Sequence, residues 1–179
     1  MVIGPKAGAA AAMERPYAVP LLLDEAGFAA AASWYVEGFA KRSGIKVNLD
    51  LPPQLGRLNH DVEIALFRTL QETLTKVHRH SCSSVVDIRL KLENKHLLLQ
   101  ITDNGKGIPP EQMNRLHEGM ADIGIGIAGM RERMRELGGS LEIRSGPAGT
   151  EVVVIAPVLD QPPIDSKGER KSMPTVSVA

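Results

Sequence analysis

The segment Asp103-Asn104-Gly105-Lys106-Gly107-Ile108 places an acidic side chain shortly before two closely spaced glycines. It follows a run of apolar residues, so we expect Asp103 at the end of a strand, where its carboxylate is a fixed hydrogen-bond acceptor. Gly105 and Gly107 lack a Cβ atom and would let the backbone pass close to a ligand. The same pattern is typical of an ordinary turn, so by itself it does not identify a site.

A second glycine-rich segment, Gly124-Ile125-Gly126-Ile127, comes directly before a predicted helix. The N-terminus of a helix exposes backbone N–H groups and carries the positive end of the helix dipole, and both favour a bound phosphate. The spacing differs from that of a P-loop, and the segment does not follow a strand as a dinucleotide-binding motif does. A flexible loop before a helix is the alternative.

Charged residues lie along one face of a predicted helix that runs from Asp61 to about His80. At about 100° of rotation per residue, Glu72, Lys76 and Arg79 fall within roughly 60° of one another, on the side away from the sheet. Such a ridge could contact a charged ligand. A solvent-exposed face with an ion pair between Glu72 and Lys76 is the more usual explanation of such a pattern.

Periodicity and helix-breaking residues predict the elements that must position these segments. About five strands and three or four helices occur in runs rather than in strict alternation, which indicates a two-layer α/β sandwich. Asp61 is placed to cap the second helix. In chain order the elements are a helix from Asp24 to about Arg42, a strand Ile45–Leu51, a helix from Asp61 to about His80, strands Val85–Leu92 and His96–Thr102 joined by Glu93-Asn94-Lys95, a helix through Leu137, and strands Leu141–Arg144 and Thr150–Ala156.

The composition is that of one soluble globular domain. The 179 residues are 43% hydrophobic and 23% charged, with 21 basic and 21 acidic side chains, so no basic field favours nucleic acid. The single cysteine, Cys82, excludes a disulfide framework, and no apolar run approaches the roughly 20 residues that cross a bilayer. We expect a flexible segment at 1–20, a folded domain at 21–158 and a disordered tail at 159–179.

Taken in order, these segments resemble the ATP-binding domain of the gyrase, Hsp90, histidine kinase and MutL superfamily. The chain is most similar to the catalytic domain of two-component sensor histidine kinases, in the group paired with helix-turn-helix response regulators. The resemblance covers about Leu21 to Pro157 and is carried by LFRTLQETLTKVHRHS, DNGKGI, GIGIAGMRERMRELGGSLEIRS and GTEVVVIAP. It implies a Bergerat-type α/β sandwich, with a mixed sheet, helices on one face and a nucleotide lid.

The resemblance also implies roles for individual residues. Asp103 would accept a hydrogen bond from the adenine amino group, partly through water with Thr150 nearby. Glu72 would be the catalytic carboxylate that orients water or phosphate, and residues 108–123 would form the lid. The other implied ATP contacts are Lys76, Arg79, His80, Gly105, Gly107, Ile108, Gly124, Ile125, Gly126 and Ile127.

One position departs from the family pattern. Four residues after the glutamate, the family has an asparagine that binds Mg²⁺, whereas this chain has Lys76. An ammonium group has no lone pair to offer a metal ion. Lys76 could contact the phosphates itself, could pair with Glu72 and leave nucleotide binding weak, or could turn aside while Mg²⁺ is held through phosphates and water.

The function implied by the resemblance is to bind ATP and present its γ-phosphate to a histidine on a separate dimerisation domain. That domain, a response regulator and ATP would be the partners, and we expect this chain to contact neither nucleic acid nor a membrane. The resemblance does not decide whether Mg²⁺ binds. The expected location is cytoplasmic, and the sequence does not decide whether another part of the full-length protein is anchored in a membrane. Two alternatives remain: a degenerate nucleotide-binding domain with a regulatory or interaction role, and an anti-sigma-factor-type serine kinase.

Overall fold

A five-stranded mixed sheet forms one layer of the fold in the computed structural model, which describes residues 18–53, 55–117 and 125–158. β1 and β2 pair in parallel, whereas the β2–β3, β3–β5 and β4–β5 pairs are antiparallel. The strand order is β1–β2–β3–β5–β4. The strands are β1 Lys46–Asp50, β2 Val85–Glu93, β3 His96–Asp103, β4 Ser140–Gly146 and β5 Gly149–Pro157.

Helices cover one face of this sheet and form the second layer. They are α1 Ala18–Ser43, α2 His60–Lys76, α3 Pro110–His117 and α4 Ile125–Glu136. Apolar and polar residues alternate along the strands, so one face of the sheet is buried and the other meets solvent. Helix α2 packs against β3 and β5 and is flanked by α1 and α4. The predicted two-layer α/β sandwich is therefore confirmed.

The core lies between α2 and the strands at the centre of the sheet. The stripe of Leu66, Leu70 and Leu74 on α2 is fully buried, and Leu99 and Ile101 of β3 are buried opposite it. Residues at this spacing share one face of a helix. The core stripe fixes the rotation of α2 about its axis and thereby the direction of its polar residues.

Helix α2 begins one residue earlier than the sequence predicts, and its cap is a different residue. The side chain of Asn59, not Asp61, is the N-cap, and it accepts a hydrogen bond from the Asp61 N–H at 3.0 Å. Asp61 lies in the first turn and forms an ion pair with Arg133 of α4 at 3.0 Å. Its negative charge still suits the positive end of the helix dipole.

Helix α1 begins at Ala18, six residues before the predicted start at Asp24. It also has a kink at Gly27. Gly27 has φ +80° and ψ −179°, a conformation that interrupts the helical hydrogen bonds. Apart from residues 18–20, the predicted terminal segments 1–20 and 159–179 lie outside the described residues. None of the helices in the described part of the chain combines the length and apolar character that a membrane span requires.

The far end of α2 also differs from the prediction. The α-helix ends at Lys76, and Val77–Ser81 continue as one π-helical turn that ends at Cys82, a residue with φ +57°. Such wide turns often occur at functional sites. The hairpin between β2 and β3 is tighter than predicted, because Glu93 pairs with His96 and leaves a two-residue loop.

Candidate nucleotide site

A cavity of about 370 Å³ opens between α2, its π-helical extension, strands β3 to β5 and the helices α3 and α4. A mostly apolar cleft with a few polar groups is typical of small-molecule sites. The polar lining includes Thr73, Lys76, His80, Asp103 and Thr150. The apolar lining includes Val77, Ile101, Ile108, Leu116, Ile127 and Met130.

Asp103 places a buried carboxyl group at the cavity wall. It is the last residue of β3, pairs with Thr150 of β5 and is 5% exposed. Its Oδ1 accepts a hydrogen bond from the Gly105 N–H at 2.7 Å. Burial raises the pKa of this carboxyl, while the backbone N–H groups of Gly105 and Thr150 act in the opposite direction. The group is thus a fixed acceptor in an apolar surrounding.

Both glycines after Asp103 lie against the protein's own backbone. A Cβ atom added at Gly105 would lie 2.2 Å from the carbonyl oxygen of Ser81, and one at Gly107 would lie 2.0 Å from that of Gly146. Gly107 also has φ +72°, which side chains other than glycine rarely adopt. The sequence suggested close approach to a ligand. The structure shows a second reason for glycine, and the contact with the base stays a prediction.

Two serines that the sequence did not single out hold this loop in place. Ser145 Oγ accepts a hydrogen bond from the Ile108 N–H at 2.8 Å and lies 2.9 Å from Thr150 Oγ1. The carbonyl of Ser81 accepts a hydrogen bond from the Lys106 N–H at 2.9 Å. The loop after β3 is therefore tied to the β4–β5 turn and to the π-helical turn.

Thr73 is a further residue that sequence reasoning missed. It lines the cavity, and its buried hydroxyl has no hydrogen-bond partner among the described residues. Thr69 and Thr75 on the same helix instead donate to the carbonyl oxygens four residues earlier. Buried hydroxyl groups normally have a partner. A water or a bound molecule near this wall would supply one.

Glu72 and Lys76 form the predicted ion pair, with 3.2 Å between Lys76 Nζ and Glu72 Oε1. The pair is not a freely solvated ridge, because both side chains are only about one-third exposed. Lys76 lines the cavity, and Glu72 lies against Gly126, where an added Cβ would be 2.1 Å from Glu72 Oε1. The carboxylate thus sits beside the first turn of α4, where the helix dipole favours negative charge.

Arg79 and His80 differ in their relation to the cavity. His80 lines the cavity, whereas Arg79 is exposed and is not part of its wall. Both lie in the π-helical turn, where the rotation per residue is smaller than in an α-helix. The α-helical angle that placed Arg79 beside Lys76 therefore does not apply beyond Lys76.

The segment Gly124 to Ile127 is only partly described. Gly124 lies outside the described residues, and Ile125 is the first residue of α4. Gly126 lies against Glu72, and Ile127 is buried and lines the cavity. The first turn of α4 is therefore a wall of the cavity, and its phosphate contacts stay a prediction. Of the predicted lid at 108–123, Pro110–His117 forms α3 and residues 118–123 are outside the described part.

The described residues do not fit the Mg²⁺ ion that the family resemblance implies. No group of three or more His, Cys, Asp or Glu side chains among them is arranged to hold a metal ion. Lys76 occupies the position of the expected ligand, and its ammonium group is bonded to the neighbouring carboxylate of Glu72. Mg²⁺ requires oxygen ligands, and a nearby ammonium group repels it.

Comparison with known proteins agrees with this geometry. The family described as histidine kinase-, DNA gyrase B-, and HSP90-like ATPase matches residues 61–160. The chain is 30% identical over 151 residues to the sensor histidine kinase MctS of Rhizobium johnstonii, which covers 84% of this chain and 32% of that protein. It is 31% identical over 153 residues to the sensor histidine kinase LiaS of Bacillus subtilis, covering 85% of this chain and 39% of that protein.

A solved structure has the same fold. The histidine kinase domain of a blue-light activated kinase from Erythrobacter litoralis matches with a TM-score of 0.65 and 20% identity, over 87% of this chain and 77% of that one. The chain spans about a third of the length of the curated relatives that it matches. The family match covers more than half of the chain and implies ATP binding. This protein therefore belongs to the histidine kinase-, DNA gyrase B- and HSP90-like ATPases, as a domain of the sensor histidine kinase type.

Proposed function

We propose that the domain binds ATP in this cavity and presents the γ-phosphate to a histidine on a dimerisation domain of the same kinase. The phosphoryl group would then pass to an aspartate of a response regulator in the cytoplasm. The observation that carries the proposal is the buried carboxyl of Asp103 on the wall of an apolar cavity, in a chain of this family.

The residues that line the cavity indicate which end of it would bind the base and which would bind the phosphates. Asp103 accepts a hydrogen bond from the adenine amino group, with Thr150 beside it, and apolar residues such as Ile101 contact the base. Lys76 and the first turn of α4 supply positive charge and N–H donors for the phosphates. The base and phosphate ends are therefore held by different elements of the fold.

The transfer step needs little from the protein beyond position and charge. A histidine ring nitrogen attacks the γ-phosphorus, the bond between that phosphorus and the bridging oxygen breaks, and ADP leaves with the electron pair. Glu72 lies next to the start of α4 and would orient the phosphate or a water molecule beside it. His80 in the cavity wall and the exposed Arg79 would approach the phosphates from the π-helical turn.

A degenerate regulatory domain remains a second candidate, because the Lys76–Glu72 ion pair is formed. If Lys76 stayed paired with Glu72 when nucleotide is present, the nucleotide would bind weakly. The comparisons do not favour the serine-kinase alternative, since the relatives named above are sensor histidine kinases.

Calorimetric titration of ATP into the purified domain tests the binding step. We expect wild-type protein to bind and Asp103→Asn to bind at least about tenfold more weakly, because the amide presents an N–H₂ group where the adenine amino group needs an acceptor. The control is Asp50→Asn, which changes an exposed carboxylate at the end of β1 and should bind as wild type does. Equal binding by wild type and Asp103→Asn would contradict the assigned role of Asp103.

The transfer step is tested in the full-length kinase with radiolabelled ATP. Phosphohistidine is labile in acid and stable in base, whereas phosphoserine has the opposite stability. A label lost in acid supports the proposal. An acid-stable label on a serine of a partner protein would support the serine kinase, and binding without any transfer would support the degenerate domain.

A further inference from the structure

Among the residues that the structure describes, Lys76 is the one lysine or arginine on the wall of the cavity. Of the lining residues, Lys76, Asp103 and His80 can carry charge. Asp103 is an acid, and its buried carboxyl accepts a backbone hydrogen bond. A polyanionic ligand in this cavity would therefore meet its main positive charge at Lys76.

The position of Lys76 marks one end of the cavity as the anion-binding end. Its partner Glu72 lies against Gly126, so the ammonium group lies close to the first turn of α4. Ile127 in that same turn lines the cavity. A lysine and a helix N-terminus in one place both favour phosphate.

The ion pair with Glu72 does not prevent this role. Because both side chains are about one-third exposed, water screens the pair and it breaks at small cost. The ammonium group lies on a flexible four-carbon chain and can turn from one oxygen acceptor to another. Glu72 lies beside Gly126, at the start of α4.

We propose that Lys76 takes the place of the divalent cation, so that the nucleotide phosphates are bound by a protein ammonium group and nucleotide affinity does not depend on Mg²⁺. This inference rests on the proposed function, since it concerns how the same cavity binds ATP. It follows from the disagreement between the Mg²⁺ site implied by the family and the residues found here. Lys76 supplies positive charge, which is what the metal would supply electrostatically, but offers no ligand for the metal.

The test is calorimetric titration of ATP and of ADP in two buffers, one with Mg²⁺ and one with EDTA. For wild type we expect dissociation constants within about threefold of each other in the two buffers, a difference well under the tenfold that 1.4 kcal/mol represents. For Lys76→Asn we expect affinity in EDTA to fall at least about tenfold, with partial recovery in Mg²⁺ because an amide oxygen is a metal ligand.

Two further variants separate charge from shape. Lys76→Met keeps the long apolar stem, so we expect it to lose affinity in both buffers without recovery in Mg²⁺. Lys91→Asn removes the same charge from an exposed site on β2, and we expect it to match wild type in both buffers. Circular dichroism spectra that match wild type show that each variant is folded.

The outcomes distinguish this inference from the proposed function. Wild-type affinity that falls tenfold or more in EDTA overturns the role of Lys76 and leaves ATP binding intact. Lys76→Asn and Lys76→Met that bind as wild type does in EDTA overturn it as well. Absence of ATP binding by wild type in both buffers overturns the proposed function and, with it, this inference.

Discussion

The backbone N–H of Phe28 points at the buried carboxylate of Glu63, with 3.4 Å between Phe28 N and Glu63 Oε1. Phe28 is the first residue after the kink in α1, so this carboxylate occupies the place of a helix cap. The Leu58 N–H and the Arg57 guanidinium bond to the same carboxylate, and Arg57 also donates to the carbonyl of Asp24. The buried acid of α2 thus joins the helix segment after the kink to the loop before α2, and Arg57 of that loop joins both to the segment before the kink.

This arrangement predicts that Gly27→Ala lowers the free energy of unfolding by about 1–3 kcal/mol. Gly27 has φ +80° and ψ −179°, which is essentially restricted to glycine, and an added Cβ would lie 3.1 Å from Glu63 Oε1. Urea unfolding followed by circular dichroism measures the change. The control is Gly56→Ala, where nothing lies within 4 Å of an added Cβ and the midpoint should hardly move. Equal losses in the two variants would argue against a special role for the kink.

Asp103 predicts a dependence of stability on pH. Burial raises the pKa of this carboxyl above its ordinary value of 3.8. A raised pKa means that the carboxyl favours folding while it is protonated, and that this contribution is lost as the pH rises through the folded-state pKa. Asp103→Asn has no carboxyl group to ionise, so its stability relative to wild type should increase as the pH rises above about 4.

Urea midpoints of wild type and Asp103→Asn at several pH values measure this difference. The same variant is expected to bind ATP more weakly. The carboxylate of Asp103 would therefore strengthen ATP binding while it lowers the stability of the fold. A stability difference that is constant across the pH range would show that burial does not penalise the ionised Asp103.

The hairpin between β2 and β3 predicts a stabilising substitution. Asn94 and Lys95 have φ of 48° and 62°, as both central residues of a type I′ turn require. Lysine pays a steric cost in this conformation that glycine does not, so Lys95→Gly should raise the free energy of unfolding by about 0.5–1 kcal/mol. Asn94→Gly is the comparison, with a smaller gain because asparagine tolerates this conformation well. A loss of stability in Lys95→Gly would contradict the turn assignment.

The sequence predicts the sheet and the packing of the helices because each element has one apolar face. The boundaries are less predictable where two neighbouring residues can do the same task. Asn59 and Asp61 are both good cap residues two positions apart, and in the structure Asn59 caps the helix while Asp61 pairs with Arg133 of α4. The hairpin loop of two rather than three residues likewise depends on the pairing of Glu93 with His96.

Site residues are predictable from the sequence where the residue type itself indicates the chemistry. They are less predictable where their position depends on the local conformation of the backbone. Asp103 and Lys76 line the cavity, and both stand out in the sequence. Arg79 does not line the cavity, because the π-helical turn after Lys76 changes the direction of the residues that follow. No pattern in the sequence predicts this turn. Ser145 gives no signal either, since its bond to the Ile108 N–H joins positions 37 residues apart.

The contact between Glu72 and Gly126 supports a final prediction, for catalysis rather than for folding. A Cβ atom at Gly126 would lie 2.1 Å from Glu72 Oε1, so Gly126→Ala must push this carboxylate away from the start of α4. Because Glu72 is a flexible side chain, the domain should still fold. We expect phosphoryl transfer to histidine by the full-length kinase to fall at least about tenfold, the effect of losing one charged group that is positioned at the reacting phosphate.

Gly129→Ala is the matched control, since it makes the same change on the same helix. Nothing lies within 4 Å of an added Cβ at Gly129, so the variant should keep its activity and gain about 0.5–1 kcal/mol of stability from the better helix former. Transfer rates and urea midpoints of the two variants separate the position of Glu72 from the helix propensity of α4. If Gly126→Ala transferred phosphate as fast as wild type does, the placement of Glu72 beside α4 would have no part in catalysis.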